Sequence, residues 1–193
     1  KNIVDAFRKE YVGEDGEPKC KTQTAYVLGL YMNLFEDMQK NADALNNMIL
    51  ANGTKLQTGF IGTPYLCYAL SRYGHAYTAY GLLLQRGYPS WLFSVKQGAT
   101  TIWEHWDGIR EDGTMWSTAM NSFNHYAYGS VGDWLYTTVA GIDSDFNEPA
   151  YKHIIFRPLP AKELGYAKSR ILTENGEVVS SWEYTGNGDE CKF

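Results

Sequence analysis

Between Ala44 and Trp103 the chain carries no Asp or Glu, and then Glu104 stands in the segment TTIWEHWDG between Trp103 and Trp106. A carboxyl group with indole walls and no evident cationic neighbour has its ionised form disfavoured by desolvation. Its proton affinity then moves toward neutrality, which suits it to take a proton from water. The segment predicts a general base at Glu104. The residue types also fit a plainer arrangement, a solvent-facing Glu104 on a loop that the tryptophans anchor, because a perturbed carboxyl raises a functional reading without proving it.

A second cluster lies in MNSFNHYAYG, where Asn121, Ser122, Asn124 and His125 precede an apolar stretch. At the start of a helix, Asn124 and His125 could hydrogen-bond ligand hydroxyls beside partial positive charge. In the alternative, Ser122 is a helix cap and His125 an ordinary imidazole. A third segment, QTGFIGTPYL, brackets Phe60 and Ile61 with Gly59 and Gly62. It is neither a phosphate loop nor a dinucleotide fingerprint, lacking the lysine ending of the one and the preceding strand of the other.

Other chemistries find little support. His75, His105, His125 and His153 are widely separated with no paired-ligand spacing, so no metal is expected, and no cofactor motif occurs. Cys20, Cys67 and Cys191 are odd in number and form no ligand pattern, which reads as packing thiols. Asn52-Gly53-Thr54 is a formal glycosylation sequon of a kind common by chance.

The elements that would position these residues follow from periodicity and punctuation. Short helical character around Ile3 to Phe7 gives way to a charged loop. Thr24 to Phe35, apolar almost all round, predicts a covered inner helix. Asn41 to Asn52, with Leu45, Met48 and Ile49 on one stripe, predicts an outer helix. Thr63 as cap and Pro64 in the first turn open a helix to Tyr73, and Ala76 to Arg86 forms the next. Tyr88 to Asn121, rich in Trp, Gly and Pro, reads as a long structured loop with weak helical character near Leu92 to Gln97. Phe123 to Val139 resumes helix. After Gly141 the period becomes two, giving strands at HIIFRP, YAKSRIL and Glu177 to Tyr184, with Asn175-Gly176 as a hairpin turn. A further strand starting at Cys191 would leave an unpaired edge.

The expected class is therefore mainly α, with helical hairpins side by side over residues 1–142 and a small β module over 143–193 that reads as truncated. The 193 residues suit one domain and part of another, and 44% hydrophobic content excludes bulk disorder. A net charge of −5 without a basic cluster argues against nucleic acid, and no apolar run approaches a bilayer span, so no membrane association is expected. Aromatic content of 15%, with 6 Trp, 15 Tyr and 8 Phe, is of the kind that lines sugar or aromatic ligand sites. The compartment stays open.

In order, the blocks TGFIGTPYL, GATTIWEHWDG, MNSFNHYAYGSVGDWLY, AGI and YKHIIFRP resemble the bacterial α-L-rhamnosidases of glycoside hydrolase family 78. The resemblance implies the second half of an (α/α)6 toroid followed by the start of a C-terminal β-sandwich. It also implies removal of terminal non-reducing α-L-rhamnose from rhamnosides with inversion, with Glu104 as the catalytic base. His125 would contact the sugar, and Trp106 and Phe60 would be wall residues. Inversion needs a second carboxyl about 6.5–9.5 Å from the first. The family's general acid belongs to an acidic segment upstream of TGF, which this sequence does not contain, so the chain by itself is expected to be inactive. A half toroid would expose apolar faces and favour self-association. Two other classes stay in view. One is a non-catalytic carbohydrate-binding helical module. The other is a toroidal lyase, for which cations near Glu104 are too few.

Overall fold

Asp37 closes the start of one helix by accepting from Lys40 N at 2.9 Å, and Thr22 closes another by accepting from Ala25 N at 3.2 Å. These caps satisfy backbone donors that have no partner within the helix. The computed structural model describes residues 2–186 and 190–193, which divide into two compact units, Lys1–Ser130 and Val131–Phe193.

The first unit contains α1 (Asn2–Tyr11), α2 (Gln23–Tyr31), α3 (Met38–Ala51), α4 (Thr63–Arg72), α5 (Ala76–Leu84) and α6 (Trp91–Lys96), and ends in a 3-10 turn, Ala127–Ser130. Helix α2 packs on α3 and α4, α4 on α5, and α5 on α6, around Tyr26, Leu30, Leu45, Ile49, Leu66, Leu70 and Leu82. Several boundaries differ from the sequence expectation. Helix α1 is longer than expected. Helix α2 stops at Tyr31 because Asn33 turns left-handed at φ 54° and Leu34 N returns to Gly29 O at 2.8 Å. Phe35 then folds back on α2 where a Cβ on Gly29 would lie 2.2 Å from its ring. Helix α3 starts earlier because Asp37 supplies the cap. Gly62, not Thr63, is the cap position of α4, and the Thr63 hydroxyl instead donates to Gly59 O at 2.8 Å. Helix α5 ends at Leu84, where the Gln85 side chain accepts from the backbone of Arg86 and Gly87.

The largest departure is Phe123 to Val139, expected as one helix. Phe123 to Tyr126 is irregular, and helical geometry starts only at Ala127. In the second unit it continues as α7 (Val131–Trp134) and a π turn, Leu135–Val139. In the π turn Ala140 N donates to Leu135 O at 2.9 Å, and the Thr137 hydroxyl bonds Asp133 O at 2.8 Å. The β-branched residues of LYTTV lower the cost of leaving regular α geometry.

The second unit holds two antiparallel sheets. Strand β1 (Ile142–Ser144), unforeseen in the sequence, pairs with β2 (Ile154–Phe156). Strand β4 (Gly176–Thr185) lies between β3 (Tyr166–Thr173) and β5 (Glu190–Lys192). Along β4, Val178 and Trp182 are buried while Glu177, Val179 and Glu183 are exposed, which is the alternation expected. The hairpin turn sits one residue earlier than expected: Thr173 pairs with Gly176, leaving Glu174 and Asn175 at the tip. The last strand pairs with β4 and is the edge strand of the described sheet, as expected. Trp182 anchors the sheet by donating from its indole to Val139 O at 2.7 Å, and Ser180 does so to Ala140 O at 2.6 Å.

Candidate active site

The segment from Gln97 to Tyr126 has no regular helix or strand, so its polar backbone must be satisfied by other means. Two stretches of it, 101–104 and 122–125, bond to each other. Glu104 N donates to Ser122 O, and His125 N to Ile102 O, each at 2.9 Å. The Thr101 hydroxyl bonds Phe123 O. This pairing draws together the two segments that the sequence marked separately. It also fixes the acid: Glu104 Oε2 accepts from Ser122 N at 2.9 Å.

Glu104 is half-buried, and so is His125. The imidazole lies on the ring of Phe60, with centroids 4.7 Å apart and planes within 19°. Its Nδ1 faces Ala127 N at 3.4 Å, a long contact at the entry to the 3-10 turn. Phe60 comes from the loop before α4 and is 41% exposed, so it presents surface as well as packing. Asn124 is exposed, and its backbone N–H is held by the Ser122 hydroxyl at 3.2 Å. The Ser122 hydroxyl thus shapes a local turn instead of capping a helix.

Trp106 is buried, stacked on Tyr128 at 3.7 Å and 16°, and met edge-on by Trp91 at 5.4 Å. Tyr128 also touches Phe60, at 5.2 Å. The rings of His125, Phe60, Tyr128, Trp106 and Trp91 therefore form one continuous aromatic wall within the first unit. Burial pushes the Tyr128 phenol up to about 12, with Tyr88 and then the Glu104 carboxylate adding in the same direction. The phenol stays protonated and lies within the electrostatic reach of Glu104.

Sequence reasoning singled out neither Tyr128 nor Trp91. Tyr128 reads as one more apolar residue at helical spacing, and Trp91 as one of several loop tryptophans. Trp103 packs edge-on against Phe123 at 5.2 Å. Asn121 donates to Gly108 O at 2.9 Å, tying the far end of the loop down. His105 stacks on Trp116 at 3.6 Å. The assembled chemistry is an acid held by a backbone donor, an imidazole, and aromatic faces able to take the apolar side of a sugar ring.

Residues 1–139 match the model of the bacterial alpha-L-rhamnosidase 6 hairpin glycosidase domain, and residues 141–192 match that of the bacterial alpha-L-rhamnosidase C-terminal domain. An alpha-L-rhamnosidase of Streptomyces avermitilis is 44% identical over 96% of this chain, and one of an Alteromonas species (strain LOR) is 37% identical over 97%. The chain spans only 18% and 21% of the length of those two relatives. Among solved structures, the Streptomyces avermitilis alpha-L-rhamnosidase complexed with L-rhamnose superimposes with a TM-score of 0.90 at 44% identity. It covers 96% of this chain and 18% of its own. The Aspergillus terreus enzyme superimposes with a TM-score of 0.91 at 36% identity, covering 95% of this chain and 21% of its own. With helices followed by small antiparallel sheets, as the fold class expected, and family models matched along nearly its whole length, the chain belongs to the bacterial α-L-rhamnosidase family of six-hairpin glycosidases.

Proposed function

We propose that this chain supplies the general base and part of the sugar-binding wall of an inverting glycosidase that removes terminal α-L-rhamnose from rhamnosides. The observation that carries this reading is the bonding of 101–104 to 122–125, which sets Glu104 and His125 in one frame beside an aromatic wall. Glu104 takes a proton from a water on the face of the sugar opposite the leaving group, and that water attacks the anomeric carbon. His125 and Asn124 bond sugar hydroxyls, while Phe60 and Trp106 cover its apolar face. The second carboxyl, which protonates the leaving oxygen, comes from a segment outside these 193 residues.

Exchange of this chain for the matching segment of the Streptomyces avermitilis relative tests the reading. The chimera is expected to hydrolyse an aryl α-L-rhamnoside and to release β-L-rhamnose first, followed by NMR of the anomeric proton. Glu104→Gln should lower kcat by about 100-fold or more with little change in KM. Initial release of the α anomer, or a Glu104→Gln chimera as fast as its parent, would refute the assignment.

A further inference from the structure

The residues proposed to meet the sugar come from three separate places in the first unit: Phe60 from the loop before α4, Trp106 from the long loop, and His125 from its far end. Such side chains bind a rigid ring well only if their spacing is fixed by something behind them. Tyr128 touches two of the three directly. Its ring is stacked on Trp106 at 3.7 Å and contacts Phe60 at 5.2 Å, and Phe60 in turn stacks on His125 at 4.7 Å.

Tyr128 is itself held firmly. It lies in the 3-10 turn Ala127–Ser130 and is 7% exposed, and its carbonyl accepts from the Trp91 indole at 2.8 Å. That indole starts α6, whose cap, Ser90, is fully buried and accepts from Phe93 N at 3.1 Å. A path of fixed contacts thus runs from a capped helix through Trp91 to the Tyr128 backbone and out through its ring to the wall.

We infer that Tyr128 is a positioning residue whose ring, and not its hydroxyl, sets the separation of Trp106 from the Phe60–His125 pair and so tunes affinity for the rhamnosyl ring. The ring carries the role because it is what meets Trp106 and Phe60. Among the described residues the phenol oxygen has no hydrogen-bond partner. Burial also keeps the phenol protonated, so it brings no charge of its own to the wall. Stacked and edge contacts of this kind favour particular ring arrangements beyond what area burial alone supplies, which suits them to define a geometry. The part concerning the sugar rests on the proposed rhamnosidase reading. The part concerning the spacing of the rings does not.

The test uses the chain as it stands, with NMR signals of the His125 imidazole and the Trp106 indole as reporters. Tyr128→Phe should leave both signals in place, whereas Tyr128→Leu and Tyr128→Met should move both, as Phe60 and Trp106 lose their shared support. Unmoved signals in a folded Leu or Met variant overturn the inference. So do displaced signals in Tyr128→Phe, which holds even if both aliphatic variants fail to fold.

Titration with L-rhamnose supplies the second arm. Affinity should weaken about tenfold or more in the aliphatic variants and less than about twofold in Tyr128→Phe. A wild-type chain whose His125 and Trp106 signals ignore L-rhamnose at high concentration counts against the sugar reading, while the ring-spacing comparison still decides the role of Tyr128. Equal affinity in wild type and a folded aliphatic variant sinks the positioning role alone.

Discussion

Gly141 adopts φ 73°, and a Cβ built there would lie 2.0 Å from Pro158 N and 2.3 Å from Pro158 Cα. The obstacle is backbone, which cannot swing aside as a flexible side chain would, and Arg157 N bonds Gly141 O at 2.9 Å in the same crossing. Gly141→Ala should cost about 3 kcal/mol or more, read as a lower urea midpoint. Gly132 is the control: it lies in α7 with nothing within 4 Å, so Gly132→Ala should be neutral or stabilising by up to about 1 kcal/mol. Equal losses for the two would show that the crossing at Gly141 is not the constraint. Glu17 carries a pH dependence. Its carboxylate accepts from Tyr26 Oη at 2.5 Å and from Lys21 Nζ at 2.9 Å, and these bonds, Tyr26 first, hold it below its ordinary value of 4.5. A carboxyl depressed by folding stabilises the protein above its unfolded value, and the contribution is lost as pH falls through the folded one. Tm should therefore drop below about pH 4.5, and Glu17→Gln should lower Tm at neutral pH and flatten that acid limb. A limb of unchanged steepness in the variant would assign the acid sensitivity to other groups.

At the level of elements, α6 has an influence out of proportion to its six residues. Ser90→Ala removes its buried cap and should cost about 1–2 kcal/mol, and it should also shift the Trp91 indole NMR signal, since the capped turn presents that indole to Tyr128. A stability loss without any indole shift would separate the helix from the wall. The same helix marks the limit of what was readable. Helices α3 and α4 and strand β4 announced themselves by period and punctuation, because their side chains repeat against one packed face, and α2 did so as a run apolar almost all round. Glu104 and His125 were readable as candidates by residue type. The bonds joining 101–104 to 122–125 were not, because irregular backbone pairing leaves no periodic trace in the residues it connects. Tyr128 was hidden for a related reason: at helical spacing a platform ring and a core ring look alike. The break of Phe123 to Val139 into irregular, 3-10, α and π segments was masked by an apolar pattern that continues through all of them.

For the chain as a whole, several apolar side chains of the first unit stand open to solvent, among them Ile3 at 81%, Tyr77 at 72%, Ile61 at 67% and Tyr126 at 88% exposure. Surfaces of this kind favour association when they are contiguous. We propose that the chain self-associates, with an average mass by light scattering that rises with concentration; a constant monomer mass at high concentration would refute this. By itself the chain is expected to release no rhamnose from an aryl rhamnoside, and release abolished by Glu104→Gln would instead place both proton-transfer groups within it. The bonding that closes 101–104 onto 122–125 has a wider bearing. It acts as a clasp at the neck of an excursion, so the largely exposed stretch between positions 110 and 120 can lengthen, shorten or change chemistry while Glu104 at its root keeps its place. Under the proposed reading, diversity in what the site accepts can then accumulate in the excursion without moving Glu104.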